Sequence, residues 1–287
     1  MALLSIINSR HRQDLTQYLL DIYPNAVRAY SLRKIKNGVT NVVKVRRSSD
    51  NMEQDFTPKQ IVNGALTTFT GANDGFVSVW YDQSGNGVDS FNLIASEQPQ
   101  IVLNGALILE GGKPSLLFDG GQQLDTGNVS ISSSNYSFFG VSKTTSQLAQ
   151  ATFRARELGG YGAVEGAVFL EALFADTANF DFADSSGNSH SATNLDALPY
   201  QVSFLASTHY TPNTALFYVD GSQLGTPSIK AGSLPIGTVT LPYLNIGGKR
   251  YNRGLRGSIQ ECILYDNDKQ SDRTNIETDI NDHYSIY

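Results

Sequence analysis

Apolar positions along the chain change their spacing, and each change marks an element. Between residues 11 and 23, Leu15, Tyr18, Leu19 and Ile22 share one helical face, and Pro24 stops the pattern. Thr57-Pro58-Lys59-Gln60 has the form of a helix start, with Thr as N-cap, Pro in the first turn and Gln closing a capping box, and Gly64 keeps that helix short. From Phe76 onward the pattern turns to β-branched and aromatic runs cut by turns. Strands are predicted at residues 76–81, 100–103, 115–118, 136–143, 166–174, 179–183, 200–209, 243–247 and 256–265. Residues 214–223 form the clearest hairpin, because Asp220-Gly221 supplies a positive-φ turn between apolar runs. A helix closes the chain: Ser271 is the expected cap, Asp272 sits in its first turn, and Ile276, Ile280 and Tyr284 repeat at i, i+4, i+8. Short strands, regular turns and helices confined to the ends predict an all-β sandwich.

Composition agrees with that pattern. The 287 residues are 40% hydrophobic and only 17% charged, with 26 Gly, 14 Tyr and 14 Phe, which suits pleated faces and turns and excludes a disordered chain or coiled coil. One large domain is expected at residues 28–287, preceded by an N-terminal helical segment at 1–27 that could dock or oligomerise. No run approaches the length needed to span a membrane, and Met1 to Ile7 lacks the basic start and cleavage pattern of a secretory signal. The single cysteine, Cys262, excludes an intrachain disulfide and reads as a buried thiol. The net charge of −6 conceals a +7 stripe from Arg28 to Arg47 on a −13 body. Carboxylates such as Asp50, Asp55 and Asp82 are its expected partners, and nucleic acid is not.

Four strings then carry a resemblance. They are Ala29-Tyr-Ser-Leu-Arg33 with Val43-Lys-Val-Arg-Arg-Ser-Ser-Asp-Asn51; Val79-Trp-Tyr-Asp-Gln-Ser-Gly-Asn-Gly87 with Gln98-Pro-Gln-Ile101; Lys113-Pro-Ser-Leu-Leu-Phe-Asp-Gly120; and Asn245-Ile-Gly-Gly248 with Arg256-Gly-Ser-Ile-Gln-Glu261 and Leu264-Tyr-Asp266. Together they resemble the concanavalin A-like lectin/glucanase (LamG-like) jelly roll. In particular they resemble the catalytic domain of arabinofuranosidase B (glycoside hydrolase family 54) and its relatives in bacteriophage virion proteins. The fold hosts enzymes, lectins and inert structural domains, so chemistry has to be argued from the site.

Trp80 and Tyr81 must point to opposite faces of a strand, so at least one anchors the core. Asp82 can accept hydrogen bonds from amides of its own turn, while Gly85 and Gly87 supply backbone angles closed to other residues. The same six-residue turn carries several oxygen ligands, which leaves calcium open as an alternative to a structural turn. In the arabinofuranosidase pattern the general acid follows a Gly-Gly pair; here that position is Lys249, an ammonium that cannot do a carboxyl's work at neutral pH. Glu171 is the counterpart for the family's nucleophile, and the family's disulfide cysteines are absent. A hydrolase would need its acid from elsewhere, such as Asp266 or Asp268.

Of the histidines, His11 falls on the N-terminal helix, His190 in a Ser/Asn-rich loop, His209 at a strand end and His283 in the last helix, with no metal-ligand spacing. Tyr161, Tyr210, Tyr251 and Asn252 lie in loop-like regions and are the candidate carbohydrate-binding residues, since an aromatic face can stack on a pyranose and an amide can bond its hydroxyls. The sequence reading is therefore a non-enzymatic virion protein of a bacteriophage, a capsid decoration, head-fibre or tail-fibre component. It is expected to lack signal and transmembrane segments, to be made in the host cytoplasm, and to be a homo-oligomer among other virion proteins that also contacts glycans. An arabinofuranosidase-like hydrolase and a free lectin are the alternatives.

Overall fold

The computed structural model describes residues 17–126, 129–131, 135–145, 150–156, 168–173, 177–183, 189–194, 201–211, 214–224, 228–229, 239–241, 243–247 and 254–287. The last strand, Arg256–Tyr265, is its axis. One edge pairs antiparallel with Ala26–Ser31 over the Tyr265 half and with Leu116–Asp119 over the Arg256 half. The other edge pairs with Tyr136–Thr144, which pairs with Ser203–Thr211 and through it with Thr214–Val219. A second run of strands starts with Glu53–Phe56, Val43–Arg47 and Gly75–Trp80. Through Ser90–Phe91 and Leu124–Asp125 it reaches Tyr243–Ile246, Gln150–Arg156, Val168–Leu173, Thr177–Ala183 and Ser189–Asn194. Gln100–Leu103 pairs with Gly75–Trp80 of the second run, and the two runs meet where its Gln100 pairs with Leu117. The fold is an all-β jelly-roll sandwich with a few short helices.

The central strands are buried on both faces, and the alternation of their side chains shows how. Phe138, Cys262 and Leu264 point into a core with Val43, Val77, Trp80, Ile101 and Phe118, between the two runs of strands. Their neighbours Phe139, Ile263 and Tyr265 point the other way, against Leu19, Leu20, Ile276 and Ile280. The C-terminal helix and the residues before the first strand thus form a third layer. Strands buried on both faces read as continuous apolar runs, not as alternation.

The capped helix is as read: Pro58–Val62 begins with Gln60 N–H donating to Thr57 Oγ1 at 3.2 Å, and Thr57 N–H donating back to Gln60 Oε1 at 3.0 Å. The hairpin turn places Asp220 at φ 49° and Gly221 at φ 76°. Several readings need correction. Strands begin at Ala26–Ser31, Val43–Arg47 and Glu53–Phe56, well before Phe76. A further helix, Ala65–Thr70, follows Gly64. His190 lies in the strand Ser189–Asn194 and not in a loop. The last helix, Arg273–Tyr284, starts after Asp272, so Ser271 is not its cap; the Asp272 carboxylate accepts from Lys269 Nζ at 3.3 Å instead. Of the segment read as a helix at 11–23, the described helical part is Leu19–Ile22, and residues up to 16 lie outside the described residues.

Candidate functional site

The turn after Gly75–Trp80 locks the sandwich's first strand in place. Trp80 is fully buried with its ring centroid 5.9 Å from that of Tyr30, while Tyr81 points the opposite way and donates to Asp55 at 2.7 Å. Asp82 Oδ1 accepts from the backbone N–H of Ala29 at 3.0 Å and of Ser84 at 2.9 Å. Its Oδ2 accepts from Ser84 Oγ at 2.6 Å and Val88 N–H at 3.3 Å. Gly85 and Gly87 take φ of 96° and 69°, as the turn requires. Four donors of its own chain engage the carboxylate weighed as a calcium ligand, and a cation would have to displace them.

Gln83, which sequence reasoning passed over, is fully buried and holds the loop beyond the first strand. Its Nε2 donates to the carbonyls of Ser31 and Arg33, both at 2.9 Å, and its Oε1 accepts from Ile35 N–H at 2.9 Å. Asn86 Nδ2 donates to the Ala26 and Val27 carbonyls, both at 3.1 Å. The basic stripe pairs locally, with partners only partly those expected. Arg47 takes Asp50 at 2.6 Å, Arg46 donates to Gln98 Oε1 at 2.8 Å, and Lys36 donates to the Ser84 carbonyl.

The loop held by Gln83 leads to a buried polar cluster. Glu261, 1% exposed in the middle of the last strand, receives Arg33 through Nε at 2.8 Å and Nη2 at 3.1 Å. Ser31 Oγ and Tyr284 Oη donate to it at 2.7 and 3.1 Å, and Asp279 takes the other face of Arg33 at 2.7 Å. Burial alone would push the Glu261 carboxyl up, but Arg33 and Ser31 bring it below the usual carboxylate range. Burial likewise opposes the charge on Arg33, and Glu261 more than restores it. A bidentate pair with both carboxylate oxygens engaged is built to persist, because removing either member would strand a buried charge.

In front of this cluster opens a cleft of about 500 Å³. Four separate parts of the chain line it. Leu32 and Arg33 come from the loop just after the first strand, Pro58, Lys59 and Val62 from the capped helix, Gly112 to Pro114 from a tight turn and the short strand it opens, and His283 and Tyr284 from the last helix. Leu32, Pro58, Val62 and Pro114 give it an apolar wall; Lys59 and Lys113 supply charge. The acid paired across the turn from Lys113, Glu110, is taken by Lys143 at 2.9 Å. His283 stands edge-on to Tyr284 with ring centroids 4.6 Å apart, and burial, then the charges of Arg33 and Lys113, push its pKa down to about 4. It is a neutral imidazole at pH 7, able to donate at one nitrogen and accept at the other.

The residues singled out for carbohydrate or catalysis fall elsewhere. Tyr161, Lys249, Tyr251 and Asn252 lie outside the described residues. Tyr210 is in the strand Ser203–Thr211, paired with Tyr136 and Ala215, and not in a loop. Glu171 is in the strand Val168–Leu173, paired with Ala151 and Asn179. Its neighbour Leu170 pairs with Phe153, and Phe153 pairs with Ile246 on its other side, so Glu171 lies two ladder rungs, roughly 10 Å, from the Asn245-Ile-Gly string. Gly247 in that string takes φ 93°, and a Cβ there would fall 2.5 Å from Phe118 Cε1. Its carbonyl accepts from Leu255 N–H at 2.7 Å, beside the Arg256 end of the last strand. Asp266 and Asp268 lie past the opposite end, on the order of 30 Å away along an extended strand, so neither can act on a bond held beside Gly247. His209 is buried inside its strand with Nδ1 2.9 Å from Ser137 Oγ. Among the described residues no three His, Cys, Asp or Glu side chains converge as a metal site.

Comparison with known proteins places the architecture. No family model and no curated protein sequence matches the chain. Solved structures do. An arabinofuranosidase complexed with arabinofuranosyl-alpha-1,2-xylobiose superposes with a TM-score of 0.60 at 12% identity, over 89% of this chain and 62% of that one. The binding domain of botulinum neurotoxin serotype G gives 0.53 at 10% identity, over 91% of this chain and 51% of that one. That of Paraclostridial mosquitocidal protein 1 gives 0.50 at 10%, over 85% and 52%. The chain thus spans less than two thirds of each of these proteins, and what it shares with a glycosidase and with two toxin binding domains is the jelly-roll sandwich.

Proposed function

We propose that the chain is a non-enzymatic, lectin-like glycan-binding module of a bacteriophage particle, serving as a capsid-decoration, head-fibre or tail-fibre component. The observation that carries this reading is a jelly-roll frame like that of an arabinofuranosidase with Lys249 where the matching Gly-Gly string leads to an acid. An ammonium near its ordinary pKa of about 10 donates no proton to a leaving sugar at neutral pH. The nearby frame supports the same view, because Asp82 and Glu261 are both engaged in holding the fold together. A single buried cysteine suits a protein assembled in a reducing cytosol.

Glycoside hydrolysis is the second reading, favoured by one observation: the sheet brings the strand of Glu171 within two rungs of the Gly-Gly string. Release of arabinose from an aryl arabinofuranoside, assayed with the intact chain and with Glu171→Gln, separates the two. The binding reading expects no turnover in either. Turnover abolished by the substitution would establish the hydrolase. The virion assignment rests on whether mass spectrometry of purified particles finds the chain at stoichiometric copy number.

A further inference from the structure

We infer that the cleft between the capped helix and the last helix binds an acidic saccharide, with the sugar carboxylate between Lys59 and Lys113 and the ring on the apolar wall. This deepens the glycan-binding reading and rests on it. The cleft is a different place from the sheet region of Glu171 and the Gly-Gly string, being lined from the loop just after the first strand, the 112–114 turn and the two helices. Its volume of about 500 Å³ falls in the usual range for small-ligand sites, roughly 300–1,000 Å³.

Four observations select the ligand's chemistry. The charged side chains that line the cleft are all basic. Arg33 is already satisfied by Glu261 and Asp279, whereas Lys59 and Lys113 form no ion pair among the described residues. Glu261 sits behind the wall with both oxygens occupied, so it offers an incoming anion no competing acceptor. Leu32, Pro58, Val62 and Pro114 add aliphatic and proline carbon, the surface on which the C–H face of a pyranose rests, with His283 beside Tyr284 at hand for ring hydroxyls. A simple inorganic anion would leave that wall unused.

His283 reports on occupancy. Burial first, then the facing charges of Arg33 and Lys113, hold it neutral, and Glu261 opposes them. A carboxylate seated beside it favours the imidazolium and raises its pKa.

The test is a titration of the full chain with galacturonate, galactose and acetate at low salt, repeated with Lys59→Gln, Lys113→Gln and the double variant. Melting temperatures confirm that the variants fold. The uronate is expected to bind at least about tenfold more tightly than galactose or acetate, and each lysine substitution to weaken it about tenfold, the effect of losing one charge-assisted hydrogen bond. The His283 ring signals, followed by NMR against pH, are expected to titrate at higher pH when the uronate is bound. Equal binding of uronate and galactose, equal binding of acetate, indifference to both lysines, or an unmoved His283 would each overturn the inference. Glycans bound by the wild type and equally by the double variant would sink this inference and leave the lectin reading standing. Failure of every glycan, neutral or acidic, would remove both.

Discussion

Single side chains hold this fold together by bonding backbone that the ladders leave unpaired. Asp82, Gln83 and Asn86 together satisfy amides and carbonyls of the first strand and the loop after it, and none of the three contacts the cleft. Polar side chains of this kind need their partners intact, since a buried donor or acceptor left alone costs about 1–3 kcal/mol. His209 shows the same dependence in its response to pH. Burial first, and the Arg273 charge second, push its pKa down to about 3, against about 6.5 in an unfolded chain. As pH falls below about 6.5 the unfolded chain takes up a proton that the native chain refuses, so stability present at neutral pH is lost on acidification. His283, with a pKa of about 4, acts in the same direction. Urea unfolding at pH 7 and pH 5 is expected to show His209 contributing about 2 kcal/mol to the loss between them. His209→Gln should flatten the difference by about that amount; an unchanged difference would assign the acid sensitivity to other groups.

Among the elements, the last helix does the most that is not sheet. Ile276, Ile280 and Tyr284 bury the face that the i, i+4, i+8 pattern announces, against Phe139, Ile263 and Tyr265 of the central strands. Glu277, also buried on this helix, accepts from Ser207 Oγ at 2.6 Å and from Arg273. Ile280 is wholly buried, so Ile280→Ala is expected to cost about 3 kcal/mol in urea unfolding, and less than 1 kcal/mol would mean the helix is not part of the cooperative core. This helix was legible because its period is uninterrupted and only one face is buried. Ala26–Ser31 was not, because it is buried on both faces and carries the buried Arg28, which breaks any apolar run. Ser189–Asn194 was hidden by composition: Ser-His-Ser-Ala-Thr-Asn has loop chemistry, and pairing with Thr177–Ala183 overrides it.

For the molecule as a whole, the sandwich could be inferred from short strands and four ordered strings, while the cleft could not be seen in the sequence. Its walls come from residues 32–33, 58–62, 112–114 and 283–284, far apart in the chain and brought together only by the fold, in front of the Arg33–Glu261 pair. Lys59 and Lys113 carry no motif and look like ordinary surface lysines until their shared cavity is drawn. The glycosidase-like site, by contrast, was proposed from strings alone, and the sheet brings the strand of Glu171 near the Gly-Gly string without supplying Asp266 or Asp268 as an acid. The molecule is therefore proposed to be a jelly roll that holds a sugar in its cleft, with Lys249 standing where the resembled pattern places the acid that would cut it. The most direct measurement of that claim is calorimetric titration of the full chain against a panel of acidic and neutral oligosaccharides, with each ligand recovered and its reducing ends counted afterwards. The account predicts saturable binding with every ligand recovered intact. Cleavage of a bound ligand, or a panel that fails to bind at all, would contradict it.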